Sequence, residues 1–158
     1  MRAAATPWPH RQGRRGGIVA TREELADTLA GFALFADLGS PQLLSVAGLF
    51  EEAAAADGER VLRQGLTGSG FYVILDGTAD VCIDGTTRGT LHRGDFFGEV
   101  SILLGEPPTA DVVATSPLSL LVLGPAEVKP FLLAHPTVML RMLQAQARRL
   151  RNANRWRS

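Results

Sequence analysis

The feature that most restricts the fold of this chain is a regular alternation of short apolar segments and turn residues across residues 51–124. The turns stand at Asp57-Gly58, Gly68-Ser69-Gly70, Asp76-Gly77, Asp84-Gly85, Arg93-Gly94-Asp95 and Ser116-Pro117. The candidate strands are residues 60–64, 71–75, 79–83, 87–92, 110–115 and 118–123. Evenly spaced turns between such segments are typical of antiparallel sandwiches and barrels. The sequence therefore predicts a mainly β fold with flanking helices, built on an antiparallel jelly-roll (double-stranded β-helix) barrel.

Helical periodicity replaces this pattern on both sides of the predicted barrel. Before it, apolar residues recur at helical spacing from Arg22 onwards, namely Leu25, Leu29, Phe32 and Phe35. Ser40-Pro41 predicts an N-cap and a first-turn proline for a second helix that runs through Phe50. After Gly124-Pro125 we expect a short helix to about Ala134, a break at His135-Pro136 and a long C-terminal helix over 137–154. Its apolar stripe comprises Val138, Met139, Met142, Leu143, Gln146, Ala147 and Leu150.

The length of 158 residues fits a single domain with a sizeable core. Residues 1–20 mix proline, glycine and arginine without apolar periodicity, which predicts a disordered basic tail; a transit peptide and a misassigned start codon are alternatives. The domain is expected over 21–158, with N-terminal helices at 21–50, the β-roll at 51–124 and C-terminal helices at 125–158. No apolar run approaches the roughly 18 residues of a membrane span, and no secretory signal is present, so we expect a cytoplasmic protein without a membrane span.

The formal net charge of zero conceals an uneven distribution along the chain. Both ends are basic, whereas every acidic residue lies between Glu23 and Glu127. The strong bases within that acidic stretch are Arg60, Arg63, Arg88 and Arg93. An anionic ligand would therefore meet little positive potential there.

Residue types that support metal or nucleophilic chemistry are sparse. Cys82, the single cysteine, lies in an alternating segment and is expected to be a buried small apolar residue. His92 has no second histidine close in sequence, which argues against a metal-dependent cupin enzyme, and no Gly-x-Ser-x-Gly elbow occurs. We therefore expect a non-enzymatic protein with no catalytic residue, metal site or cofactor.

The segment FFGEVSILLGEPPTADVV, residues 96–113, is the candidate binding element. Gly98 allows backbone to approach a ligand closely, and the following turn can open a short helix whose amides face an anion. Glu99 can accept a hydrogen bond from a sugar hydroxyl. Sugar and phosphate together indicate a nucleotide. The alternative is that Glu99 only stabilises the dipole of the short helix.

This segment resembles the phosphate-binding cassette of the cyclic nucleotide-binding domain family, of the catabolite activator protein and protein kinase A regulatory subunit type. A second pattern similar to that family, VLRQGLTGSGFYVILDG at residues 61–77, precedes it, and the resemblance covers residues 27–154. It implies a cyclic-nucleotide site at Gly98, Glu99, Val100, Ser101, Pro108, Thr109 and Ala110. In that site Glu99 would hold the ribose 2′-hydroxyl and the Ser101 amide would face the phosphate, whereas the Thr109 hydroxyl would reach the phosphate or a guanine amino group. Pro108 stands where the family has a phosphate-binding arginine, and proline offers no donor.

The resemblance also implies two roles for the long C-terminal helix. It would cover the base, for which the candidates are Asn152, Asn154 and Trp156. It would also pair in a homodimer, through the face formed by Met139, Met142, Leu143, Gln146 and Leu150. Candidate replacements for the missing arginine are Arg88, Arg93 and an arginine of this helix.

These observations predict a regulatory module that binds cAMP or cGMP weakly in the β-roll and signals through its C-terminal helix to an unidentified partner protein. The alternative is a degenerate, ligand-free domain that serves dimerisation or partner docking. In related transcription factors a helix-turn-helix domain follows the long helix. This sequence stops at Ser158, so we expect no sequence-specific DNA binding by this chain.

Overall fold

The computed structural model describes residues 21–66 and 70–155, which form two four-stranded antiparallel sheets and flanking helices. The strands are β1 (Glu51–Ala55), β2 (Arg60–Leu62), β3 (Phe71–Asp76), β4 (Ala79–Ile83), β5 (Thr86–Leu91), β6 (Phe96–Phe97), β7 (Asp111–Ala114) and β8 (Leu118–Leu123). One sheet has the order β1-β8-β3-β6 and the other β2-β7-β4-β5. The predicted fold class, a mainly β roll with flanking helices, is confirmed.

Each predicted strand is present with its ends shifted by at most two residues, but β1 and β6 were not predicted. The β1 sequence, EEAAA, consists of good helix formers. It becomes a strand because it pairs along its whole length with β8, from Glu51 opposite Val122 to Ala55 opposite Leu118. Pairing with a buried strand therefore overrides the local preference.

The helices in the described part of the chain are α1 (Arg22–Ala30), α2 (Ser40–Ala47), α3 (Glu99–Leu104), α4 (Pro125–Ala134) and α5 (Pro136–Arg155), with a 3-10 turn at Ala33–Phe35. Two predictions about α2 are wrong. Gly39 is the N-cap, and its N–H donates to the Gln42 side chain at 3.0 Å, so Ser40 lies inside the helix. The helix ends at Ala47, because Gly48 caps it and the chain then turns Phe50 into the core.

The core has two parts, and β3 contributes to both because its side chains alternate. Phe71 and Val73 face the helices, where Phe71 joins an aromatic cluster centred on Phe50. Tyr72 and Ile74 face the space between the sheets. Both faces of β3 are therefore buried, and the strand holds the helical layer and the roll together.

The first half of α5 packs on the N-terminal helices. Val138 and Met142 are buried, and the Arg141 guanidinium donates to both carboxylate oxygens of Asp37, at 2.7 and 3.0 Å. The predicted dimer face is therefore wrong at Met142, which lies in the chain's own core. Met139, Leu143 and Leu150 of that face are exposed.

Three further predictions concern single residues or segments. Cys82 is half-buried rather than buried, and its Sγ lies 3.7 Å from the Thr87 hydroxyl. The predicted tail at residues 1–20 lies outside the described residues. No helix of the described ranges has the length and apolar character needed to cross a membrane.

Candidate functional site

A cavity of about 180 Å³ opens between the second sheet and the segment that carries α3. Its apolar floor is formed by β2, β4, β5 and β7 through Leu62, Val81, Leu91 and Val112. All seven predicted cyclic-nucleotide residues line it, namely Gly98, Glu99, Val100, Ser101, Pro108, Thr109 and Ala110. Phe97 and Arg149 complete the lining. The structure thus brings the predicted site residues together around one space.

Gly98 places Glu99 at the start of α3. Its φ of 91° lies in the left-handed region, and an added Cβ would overlap the Gly70 carbonyl oxygen and lie 3.2 Å from the Tyr72 ring. Only glycine meets both conditions. This close approach to β3 turns the Glu99 side chain towards the interior, where it is 1% exposed.

The Glu99 carboxylate is held by two side chains of α5. Oε1 accepts a hydrogen bond from the Gln146 amide and lies 3.4 Å from Nη1 of Arg149. Oε2 is buried and has no hydrogen-bond partner among the described residues. Burial raises the pKa of Glu99 above its ordinary value, against the opposing effects of its own backbone N–H, Arg149 and Gln146.

Arg149 is fixed by three contacts. Besides Glu99, it donates through Nη2 to the Phe96 carbonyl at 2.7 Å, and its guanidinium lies 4.6 Å from the centre of the Phe96 ring. Stacking and ion pairing together hold a side chain that is still 39% exposed. Of the candidate arginines, Arg149 is the one that reaches the cavity in the described structure; Arg88 and Arg93 do not line it.

The role of Gln146 was not predicted from the sequence, because the residue was assigned to the dimer face. Gln146 and Arg149 are three residues apart, on the side of α5 that includes the buried Met142. A glutamine and an arginine next to a buried helical stripe are the signal that was available. Their partner lies 47 and 50 residues earlier, beyond any local pattern.

Pro108 offers the cavity no polar hydrogen. It is buried, and its carbonyl accepts the Gly65 N–H at 2.8 Å. The Ser101 hydroxyl donates to the Gly98 carbonyl at 3.3 Å, and Thr109 is exposed at the rim. The position that the resemblance assigns to an arginine is therefore apolar.

The predicted base cap is only partly visible. Asn152 and Asn154 are exposed on α5 and do not line the cavity, and Trp156 lies outside the described residues. No group of three or more histidine, cysteine, aspartate or glutamate side chains in residues 21–66 and 70–155 is placed to hold a metal ion.

Comparisons with known proteins agree with this fold. The family model for the cyclic nucleotide-binding domain matches residues 53–135. A curated relative, the cAMP-dependent protein kinase regulatory subunit of Mucor circinelloides f. lusitanicus, is 32% identical over 106 residues. That match covers 66% of this chain and 25% of the relative, so the chain spans about a quarter of the relative's length.

Two solved structures share the fold. The Thermus thermophilus catabolite activator protein has a TM-score of 0.69 and 26% identity, over 77% of this chain and 60% of that one. The regulatory subunit of a cAMP-independent protein kinase A from Trypanosoma cruzi, bound to guanosine, has a TM-score of 0.66 and 26% identity. The latter match covers 76% of this chain and 44% of the other.

Proposed function

Because this chain belongs to the cyclic nucleotide-binding domain family, we propose that it is a non-enzymatic regulatory domain that binds a ribose-bearing ligand beside Glu99. The candidate ligands include cAMP and cGMP, and the signal leaves through α5. One observation carries this proposal: the acid that the family resemblance assigns to the ribose is held by Gln146 and Arg149 of α5. A ligand at Glu99 and the position of α5 are therefore linked.

The proposed mechanism is an exchange of hydrogen-bond partners. A ribose hydroxyl donates to the Glu99 carboxylate and competes with the Gln146 amide. Loss of that amide contact weakens the attachment of the second half of α5, while the first half stays fixed at Asp37 and Met142. The ligand thus shifts a population between two positions of α5, which a partner protein reads.

The cyclic phosphate is the weakly bound part of such a ligand. An arginine would donate two charged hydrogen bonds, together worth at least about 1.5 to 3 kcal/mol, and Pro108 donates none. We therefore expect cAMP and cGMP to bind at least one to two decades more weakly than they would with arginine at this position.

The ligands of the relatives support the ribose as the shared element. The Mucor relative is named for its dependence on cAMP, and the Trypanosoma cruzi relative is bound to guanosine. Both ligands contain a ribose, whereas only one contains a phosphate. The proposal therefore rests on Glu99 rather than on a phosphate contact.

Two measurements on the full chain test this function. Calorimetric titration with cAMP, cGMP, adenosine and guanosine, each to millimolar concentration, detects binding. Hydrogen exchange with and without the best ligand should then show faster exchange in residues 146–155 and little change in residues 138–142. Absence of binding by all four ligands, or binding without a change in α5, would contradict the proposal.

A ligand-free docking domain is the second candidate function. It is favoured by the internal contacts that already satisfy Glu99 Oε1, and by the exposed apolar residues Met139, Leu143 and Leu150. In this alternative the chain forms a homodimer or docks a protein through that face. Sedimentation velocity of the full chain and of Leu143→Glu tests it: a dimer that the variant converts to monomer supports it, and a monomeric wild type contradicts the homodimer.

A further inference from the structure

Among the described residues, the cavity lining offers an anionic ligand no unpaired positive charge. Among the residues that the structure describes, its charged lining consists of Glu99 and Arg149, which form an ion pair at 3.4 Å. The other lining side chains are apolar or carry hydroxyl groups. A phosphate that entered would therefore leave water without gaining an uncommitted cation, which is unfavourable.

Arg149 cannot pair with a phosphate without giving up contacts that it already makes. Its guanidinium supplies the charge that opposes the buried Glu99 carboxylate and the hydrogen bond to the Phe96 carbonyl. Moving it would leave the carboxylate with the Gln146 amide as its remaining side-chain partner. A phosphate would also bring a second negative charge near a carboxylate that is 1% exposed. Both effects oppose an anionic ligand.

A neutral donor meets a different situation at Glu99, which lines the same cavity. Glu99 Oε2 is the buried side-chain oxygen in the described part of the chain that has no hydrogen-bond partner. A buried acceptor without a partner is costly, and a ligand hydroxyl that replaces the Gln146 amide at this carboxylate can satisfy it without adding charge. Ribose hydroxyls are such donors.

Size favours the smaller ligand as well. The cavity volume of about 180 Å³ lies below the roughly 300–1,000 Å³ of common small-molecule sites. Pro108 is buried in the wall where a phosphate-binding side chain is expected, and its carbonyl is already bonded to Gly65. A ligand without a phosphate requires less rearrangement of this wall.

We propose that this cavity selects an uncharged nucleoside over the corresponding cyclic nucleotide, with Pro108 as the residue that determines this preference. The inference rests on the proposed function, because it assumes that a ribose-bearing ligand occupies the cavity beside Glu99. It adds the ligand class, a neutral nucleoside, and the residue that excludes the charged one.

The decisive experiment compares matched ligands on the full wild-type chain. Adenosine is titrated against cAMP, and guanosine against cGMP, by calorimetry in the same buffer at low salt. We expect at least one nucleoside to bind about tenfold or more tightly than its cyclic counterpart, which is the effect of about one charge-assisted hydrogen bond. Low salt is used because screening would otherwise reduce the difference.

Two variants assign the preference to position 108. Pro108→Arg should tighten cAMP binding about tenfold or more and leave adenosine binding within about threefold. Pro107→Arg is the matched control, since it also replaces a proline by arginine, one residue earlier, at an exposed position outside the cavity lining. It should leave both affinities within about threefold. An equal gain in cAMP affinity in both variants would overturn the assignment to Pro108.

The remaining outcomes separate the two proposals. Tighter binding of a cyclic nucleotide than of its nucleoside overturns the selectivity and leaves the proposed regulatory function standing. Binding of no ligand overturns both proposals. The wild-type titrations decide these outcomes even if Pro108→Arg fails to fold, which circular dichroism would reveal.

Discussion

Two carboxylate–arginine pairs attach α5 to the rest of the molecule, and their settings differ. Asp37 and Arg141 are paired in a bidentate arrangement at the surface, where each side chain is more than a third exposed. Glu99 and Arg149 meet through a single oxygen at the cavity, where Glu99 is almost fully buried. The pKa of Asp37 is lowered, chiefly by its hydrogen bond to Arg141, whereas burial raises that of Glu99. The first pair is satisfied, and the second retains an unfilled acceptor.

This difference indicates that the two halves of α5 are attached in different ways. The half of α5 near Asp37 also buries Val138 and Met142, so apolar packing fixes it independently of charge. The half near Glu99 is attached through Gln146 and Arg149, which contact the carboxylate at which we propose that the ligand binds. A helix held firmly at one end and exchangeably at the other can transmit occupancy of the cavity.

The largest expected effect comes from breaking the firmly packed half of α5. Met142→Ala should lower the free energy of unfolding by about 2–5 kcal/mol, because the side chain is buried and leaves a cavity. Leu143→Ala, the next residue on the same helix, is 64% exposed and should cost less than about 1 kcal/mol. Urea denaturation of both variants measures this, and equal losses would contradict the proposed orientation of α5.

The next largest loss of stability is expected at Gly98, the residue that places Glu99 at the cavity. Gly98→Ala should destabilise the protein by about 3 kcal/mol, since a Cβ at a φ of 91° would overlap the Gly70 carbonyl. Gly105→Ala, at the opposite end of α3, is the matched control because its φ is also positive but no atom lies within 4 Å of the added Cβ. It should cost about 1–2 kcal/mol, the backbone penalty alone. A urea series that found the same loss for both would indicate that Gly98 has no close contact with Gly70.

The opposite pKa directions of the two carboxylates predict opposite dependences of stability on pH. The folded chain binds the Glu99 proton more tightly than the unfolded chain, so this group lowers stability as the pH rises through its raised pKa. Asp37 behaves inversely: its contribution is present above the ordinary pKa of aspartate and is lost as the pH falls through its lowered pKa.

Glu99→Gln and Asp37→Asn separate these two contributions. With rising pH, Glu99→Gln should gain stability relative to the wild type, whereas Asp37→Asn should lose it. The Asp37 effect will be small because the pair is exposed to solvent. Urea unfolding from pH 3 to 8 provides the differences, and the same sign for both variants would contradict the contrast between the two pairs.

Features that depend on local sequence signals could be predicted, whereas contacts between distant residues could not. The roll was predictable because alternation and turns are local signals, and the resemblance to the phosphate-binding cassette identified seven of the residues that line the cavity. Strand β1 was not predictable, since its alanines and glutamates favour helix and only pairing with β8 makes it a strand. The roles of Gln146 and Arg149 were also hidden, because a contact across 47 to 50 residues is created by the fold.

The smallest expected change in stability, and the most specific, concerns Arg149. At a pH below the raised pKa of Glu99, Arg149→Gln should change the free energy of unfolding by only about 1 kcal/mol or less, because the arginine is 39% exposed and a protonated Glu99 leaves no buried charge unpaired. It should nevertheless raise hydrogen exchange in residues 146–155, while residues 138–142 keep their protection through Met142 and Asp37. Arg148→Gln removes the same charge from an exposed neighbouring position and should leave both segments unchanged. If Arg149→Gln loosened the whole of α5, or neither half, the helix would behave as one unit, and Glu99 would have no selective hold on its second half.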